Sequence, residues 1–434
     1  IPLISEYLQD ILRYLKAGGI VGKYYVRNSF IDDFGLFRFT IEFNPNVYVS
    51  DGIPFNNSSL GSCSEFNPDI GVSKSIGEFL ERYELSVYRE KNLKKRSVDY
   101  LKKSKIKYVD PKLLSIRQNP KSKSRFYFDE STNFLWTDAL DLDGVKYLIP
   151  AQSIFWTYRR THADFTEPLI RESNTNGGAG YFDLEKAIVS GIYEVVERDA
   201  FLRHWLSGTA PLIITEIKSE ELRYIKEQAS KLNFELNWYY TGNEIGIPSV
   251  VCMMKDKTGV GPYVSMGGSS GKSLFQAMIN SFTEAQGLYS SIRDEALFKK
   301  YDLKISLGSD IGRMDRLRIW GKGEMSEKLK FFEGGKKVSF DELDKKSFSS
   351  ESPKVELNIL RRKIESEVYG TKIYYYEKKS DLLKKLGYKV VKVVITNMVN
   401  LYLREFYKPN FIFQNFKPHT LKNGEINNIP HPFP

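Results

Sequence analysis

Two short patterns in this sequence combine residue types that can bind a metal ion and phosphate. The first is Ser75-Ile76-Gly77-Glu78-Phe79-Leu80-Glu81-Arg82. The second is Gly191-Ile192-Tyr193-Glu194-Val195-Val196-Glu197-Arg198. Both contain Glu-x-x-Glu-Arg, and the two glutamates of one copy are offset equally from those of the other. On a helix, residues three and four apart share a face, so each arginine joins its glutamate pair. A single copy reads as an exposed ion pair worth about 0.2–0.5 kcal/mol. Two copies in matching context point to a shared task instead. Two carboxylates one turn apart repel unless a cation neutralises them. If the two faces converge, up to four carboxylates meet in one cleft. Such hard oxygen donors select Mg2+ over zinc or copper. Mg2+ keeps positions open for phosphate oxygens, and the arginines suit phosphate as well. A di-iron bundle would need Glu-x-x-His, which neither pattern supplies. The residues alone therefore suggest a Mg-nucleotide site.

The elements that must position these residues are helices fed by strands. Helical periodicity runs over residues 73–88, 184–206 and 273–293, with Asp183 as N-cap of the second. The second helix has an apolar stripe of Ile188, Ile192, Val195, Leu202 and Leu206, with Glu194, Glu197 and Arg198 on its other side. A short helix is expected over 5–16, and a half-buried strand over Phe37–Phe43. Further strands are expected at 125–128, 145–150, 212–215, 235–240, 249–254, 262–266 and 389–396. Residues 91–107 hold eight basic residues and read as a surface helix that could hold an acidic partner. Residues 306–353 show weak periodicity and read as a loop or insertion. The pattern is mixed α/β, with sheets carrying helices into one nucleotide cleft and an internal pseudo-repeat. The expected division is an N-terminal segment, 1–55, and a catalytic domain, 56–434.

Composition bounds the alternatives. The 434 residues are 41% hydrophobic and 14% aromatic, so the chain is not disordered. No apolar run reaches the ~20 residues of a membrane helix. Two cysteines, Cys63 and Cys252, exclude a disulfide scaffold and favour a reducing, cytoplasmic setting. Four histidines leave little scope for a multi-histidine metal site, and His162 and His204 read as structural or surface residues. The net charge of +10 suits an anionic ligand, or a solvated lysine surface.

Two motifs are decoys. Residues 267–273 look like a P-loop, but Met266 stands where its first glycine is needed. Ser269 centres a Gly-x-Ser-x-Gly match, but a strand–turn–helix connection explains those glycines better than a hydrolase elbow. Thr283-Glu284-Ala285-Gln286 carries no message by itself. The chain ends Pro430-His431-Pro432-Phe433-Pro434, which forbids helix and favours polyproline II.

Taken in order, these motifs resemble the YcaO superfamily. The resemblance rests on Ser75-x-x-Glu78-x-x-Glu81-Arg82, then Asn176-Gly177-Gly178-Ala179-Gly180 leading to Glu194-x-x-Glu197-Arg198, then Glu284 and Gln286. It implies ATP and Mg2+ as cofactors. It implies nucleotide contacts from Ser75, Glu78, Glu81, Arg82, Asn176, Glu194, Glu197, Arg198, Glu284 and Gln286. Glu78, Glu194, Glu197 and Glu284 would be metal ligands. The family's third motif is usually Glu-x-x-Gln, whereas here Gly287 follows Gln286 in that place.

The Pro-x-Pro-x-Pro ending resembles that of azoline-forming cyclodehydratases. In such enzymes a Cys, Ser or Thr side chain of a ribosomal precursor peptide attacks the preceding carbonyl. ATP activates the oxygen as phosphate, and a thiazoline or oxazoline results. The resemblance implies a role for Pro434 in proton transfer. It also implies a separate E1-like or ThiF-like leader-binding partner, an FMN dehydrogenase that oxidises azolines, and possible homodimerisation. No nucleic-acid partner is expected. The competing readings are thioamide or amidine formation by the same family, and a non-catalytic peptide-binding scaffold.

Overall fold

The computed structural model describes residues 4–27, 30–46, 48–49, 53–54, 60–156, 158, 167–259, 263–298, 311–321, 323, 325–365, 369–413 and 425–433. Three sheets organise them, and each contains a strand that leads directly into a motif helix.

The first sheet is antiparallel, in the order β1 (Val21–Arg27), β2 (Phe37–Phe43), β5 (Leu60–Glu65). β3 (Tyr48–Val49) and β4 (Ile53–Pro54) form a separate short ladder. β2 buries Phe39, Ile41 and Phe43, as period-two alternation predicts. α1 (Glu6–Ala17) lays Leu8, Ile11, Leu12 and Leu15 into the same core as Ile76, Phe79 and Leu80 of α2 (Pro68–Ser86). Residues on both sides of position 55 thus share one sheet and one core.

The second sheet runs β6 (Lys94–Ser97), β7 (Asn133–Asp141), β15 (Ile373–Lys378), β16 (Lys389–Ile395), β9 (Gly178–Tyr181), with β8 (Lys146–Pro150) also paired to β7. Alternation sends Val391, Val393 and Ile395 of β16 to one face. There they pack with Ile188, Ile192 and Val195 of α4 (Leu184–Ser207). Val390, Lys392 and Val394 take the other face, where Val390 joins the α1–α2 core.

The third sheet runs β13 (Val264–Ser270), β12 (Ser249–Asp256), β11 (Phe234–Tyr240), β10 (Leu212–Thr215), β14 (Lys337–Ser339), antiparallel except for the last pair. All eight residues of β12 are buried because both faces are covered. On one face α5 (Glu220–Lys231) and α6 (Leu274–Phe298) pack on Val250, Cys252 and Met254. On the other, Phe201, Leu202 and Trp205 of α4 pack on Val251 and Met253.

Shorter helices complete the fold: α3 (Val98–Lys103), α7 (Arg313–Gly321), α8 (Lys330–Glu333), α9 (Phe340–Asp344), α10 (Pro353–Ile364) and α11 (Asp381–Leu386). No helix among the described residues is long and apolar enough to cross a membrane.

Several local expectations are corrected. Residues 91–107 are not one helix. Lys94–Ser97 is a strand paired to β7, and Ser97 caps the six-residue α3. Residues 125–128 form a turn rather than a strand, with Tyr127 N–H donating to the Ser124 carbonyl. Within 306–353, α7 to α9 and β14 are ordered elements, because Trp320, Leu329 and Phe332 are buried in the core under α4. α2 starts five residues before the expected 73, where Asn67 accepts from the Asp69 and Ile70 N–H groups and Pro68 opens the helix.

Candidate active site

Three strand–turn–helix units carry the three motifs. β5 leads to α2 with Glu78, Glu81 and Arg82. β9 leads to α4 with Glu194, Glu197 and Arg198. β13 leads to α6 with Glu284. Asp183 caps α4 as expected, accepting from the Lys186 N–H at 2.7 Å. Two glycines let strand and carboxylate approach. A Cβ at Gly178 of β9 would strike Glu81 Oε1, and one at Gly268 of β13 would lie 2.8 Å from Glu197 Oε1.

The helices meet around a cavity of about 700 Å3 whose walls include Glu78, Glu81, Glu194, Glu197, Lys74 and Lys272. A second chamber of about 330 Å3 is lined by Glu78, Glu284, Lys74, Arg38 and Gly287. Glu78, Lys74 and Asn280 line both, so the two spaces adjoin. The turn at 271–273, set aside as a P-loop decoy, is the strand–helix connection favoured from sequence, yet it too lines the larger cavity. Ser269 lies within β13, so it sits on no elbow.

Arginine holds the carboxylates. Glu78 Oε1 lies 2.5 Å from Arg82, and its Oε2 accepts from the Ser62 N–H at 2.8 Å. Arg198 bridges Glu197 at 3.0 Å and Glu284 at 3.2 Å. Glu284 Oε2 accepts from the Gly268 N–H at 2.8 Å. Among the described residues no three His, Cys, Asp or Glu side chains stand close enough to share one metal ion. Glu78, Glu194, Glu197 and Glu284 share the cleft, but not a closed cage. Like charges that would face each other turn to arginine instead.

The electrostatics favour a bound cation. Burial raises the Glu81 carboxyl well above its usual range, and the nearby Glu194 charge adds to the effect. Burial raises Glu194 against the pull of Arg198 and Lys392. Burial pushes Glu197 up to about 8, again against Arg198. A divalent ion would reverse these shifts, because positive charge favours the ionised carboxylate. The all-oxygen donor set fits Mg2+, whose usual shell is one or two carboxylates plus phosphate oxygens.

Other expected site residues lie outside the cleft. Ser75 is buried in α2, and its hydroxyl donates to the Gly71 carbonyl at 2.9 Å. Asn176 is buried before β9 and donates to Asn400 Oδ1 at 2.8 Å. The Gln286 amide donates to Asp33 and Ser290, each at 2.8 Å, while Gly287 is the residue on the smaller chamber. Pro434 and His162 fall outside the described residues. His204 is structural, pushed down to about 4 by burial.

The structure adds residues that sequence reasoning passed over. Lys392 is buried, donates to the Asn174 carbonyl at 2.6 Å, and faces the charges of Glu194 and Glu81. Burial and the Arg171 charge push it down to about 7. Its signal was a lone lysine inside Val390-Val391-Lys392-Val393-Val394. Arg38 of β2 lines the smaller chamber and donates to the Gly287 carbonyl at 3.1 Å. The tail reaches the site as well, since the Phe433 ring centre lies 5.1 Å from the Arg198 guanidinium carbon.

A family model described as YcaO cyclodehydratase, ATP- and Mg2+-binding, matches residues 73–399. The chain belongs to the YcaO family. ATP and Mg2+ are accordingly its cofactors. Solved structures of similar fold include a heterocyclase in complex with substrate and cofactor, at TM-score 0.72 and 14% identity. That match covers 92% of this chain, which spans only 53% of the heterocyclase. A YcaO protein from Methanopyrus kandleri bound with AMPPCP and Mg2+ matches at TM-score 0.65 and 15% identity, over 96% of both chains. The E. coli microcin synthetase McbBCD complex matches at TM-score 0.58 and 15% identity, over 86% of this chain and 88% of that one. At such identities the likeness concerns the fold. No curated protein matches the sequence.

Proposed function

We propose that this YcaO chain is the ATP-dependent cyclodehydratase subunit of a peptide-modifying system. It converts Cys, Ser or Thr residues of a ribosomal precursor peptide to thiazolines or oxazolines. The observation that carries the reading is the meeting of three acid-bearing helices, buttressed by Arg82 and Arg198, around two adjoining chambers. Support comes from fold neighbours described as a heterocyclase with substrate and as a microcin synthetase complex with pro-MccB17 bound.

In this reading Glu78, Glu194, Glu197 and Glu284 line the cleft that holds Mg2+, no three of them on one ion, with Glu81 beside them. ATP with Mg2+ supplies the phosphoryl group that makes the amide-derived oxygen a good leaving group. The chain's own residues bind and orient. Lys74, Lys186 and Lys272 give the larger cavity positive charge that draws in a polyphosphate. Arg198 and Arg82 keep the carboxylates apart and stabilise charge as it develops on the phosphoryl oxygens. The peptide thiol or hydroxyl forms one new bond to the carbonyl carbon. The carbonyl oxygen leaves, and the thiol or hydroxyl proton and the amide proton are lost, so each ring removes one water. Pro434, next to Phe433, is assigned the proton-transfer role.

The reading requires a leader-binding ThiF-like partner, takes an FMN dehydrogenase as a downstream partner, and suits a reducing, cytoplasmic setting. It is tested by mass spectrometry of a Cys/Ser/Thr-rich precursor incubated with this chain, the partner and MgATP. Loss of one water per ring is expected. Replacement of oxygen by sulfur would mean thioamide formation, and an unchanged peptide would favour a scaffold.

A further inference from the structure

The tail is held in a way that its role as an extended segment does not require. Prolines at 430 and 432 have no N–H to donate, so at these two positions only the carbonyls can bond. Three buried side chains bond successive tail carbonyls. Trp205 Nε1 donates to the Ile429 carbonyl at 2.8 Å, Trp320 Nε1 to Pro430 at 3.1 Å, and Arg316 to His431 at 3.1 Å. His431 is itself buried, its Nε2 2.8 Å from the Tyr402 carbonyl oxygen. Trp205 lies on α4, the helix that bears Glu194, Glu197 and Arg198.

This strut ends on the site. Phe433 has no exposed surface, and its ring centre is 4.2 Å from that of Phe201. The ring also lies against Arg198 and against the Gly268 backbone, where an added Cβ would approach it to 3.0 Å. Arg198 Nε is buried without a hydrogen-bond partner among the described residues. The guanidinium is therefore fixed by Glu197, by Glu284 and by an aromatic face.

We propose that Phe433 is a positioning residue for Arg198, so that seating of the tail and nucleotide binding are linked through this one side chain. The proposal rests on the nucleotide site described above. A cation held over a ring in a desolvated place gains electrostatic energy that an aliphatic side chain of similar size does not supply. Loss of the ring frees Arg198 to tilt, and Glu197 and Glu284 then lose their common anchor. By linkage, a nucleotide that uses this geometry must in turn hold the tail more firmly.

The test titrates a non-hydrolysable ATP analogue with Mg2+ into wild type, Phe433→Leu and Phe433→Trp, with thermal unfolding as a control for folding. Phe433→Leu is expected to weaken analogue binding by about threefold to thirtyfold, the range of a cation–π contact. Phe433→Trp, which keeps an aromatic face, is expected to bind more tightly than the leucine variant. Equal binding by wild type and Phe433→Leu would overturn the proposal, as would equal weakening in both variants. Hydrogen exchange of residues 425–433 in wild type gives a measurement that needs no variant to fold. The analogue should slow exchange there, and an unchanged rate overturns the link. If wild type binds no analogue at all, the nucleotide site fails and the proposal falls with it. Binding without ring formation on any peptide would instead overturn the cyclodehydratase reading and leave the link standing.

Discussion

At the scale of single residues, the site is a balance between buried carboxylates and a few cations. Glu197 shows the consequence most clearly. Burial pushes its carboxyl up to about 8 from an ordinary value of 4.5. Between those two values the folded chain binds the proton more tightly than the unfolded chain does. Stability therefore falls as pH rises through this window. The melting temperature of the nucleotide-free protein is expected to drop over that range, and Glu197→Gln should flatten the dependence. A pH dependence that Glu197→Gln leaves unchanged would contradict the assignment. Gly268 makes a separate prediction. A methyl there meets Glu197 Oε1 at 2.8 Å and the Phe433 ring at 3.0 Å. Because Glu197 Oε1 is the end of a flexible side chain, it can yield while the fold holds. Gly268→Ala should cost about 1–3 kcal/mol of stability at most, yet remove most ATP turnover. A variant with wild-type turnover would show that the position of Glu197 does not matter.

At the scale of elements, each motif helix depends on the turn that starts it. Asp183→Ala removes the α4 cap and should destabilise the protein by about 0.5–2 kcal/mol, measurable by denaturant unfolding. An unchanged midpoint would mean that packing alone fixes the start of α4. What the sequence discloses follows the same logic. β2 and β10 were legible because alternation and flanking turns are local signals. The acid helices were legible because their pattern occurs twice. β6 was not, because a basic run such as Lys94-Lys95-Arg96 becomes a strand only through pairing with β7, and Trp136 Nε1 donates to the Arg96 carbonyl. β7, α5 and β15 went unread, and 306–353 looked loose because Trp320 and Phe332 are buried by contacts remote in sequence. In the site, resemblance singled out Glu284, but spacing could not place it against Arg198. The same resemblance implied Ser75, Asn176 and Gln286, whose side chains bond within the protein behind the cleft.

At the scale of the whole molecule, three strand–helix units bring their acidic residues together while the net charge stays at +10. Part of the basic excess is spoken for. Within 91–107, Lys94 pairs with Asp138, Lys102 with Glu130 and Lys103 with Asp99, so three of the eight basic residues of this run are held by acidic neighbours. Lys74, Lys186 and Lys272 line the cleft, where they oppose the carboxylates and suit a polyphosphate. Together these features make the cleft one that uses ATP on behalf of a peptide. The most direct measurement is phosphate release with MgATP, with and without precursor peptide and partner protein, comparing wild type with Glu197→Ala. Release is expected to depend on the peptide and to fall by about a hundredfold or more in the variant. Turnover in Glu197→Ala equal to wild type, or the absence of ATP binding by wild type, would contradict it.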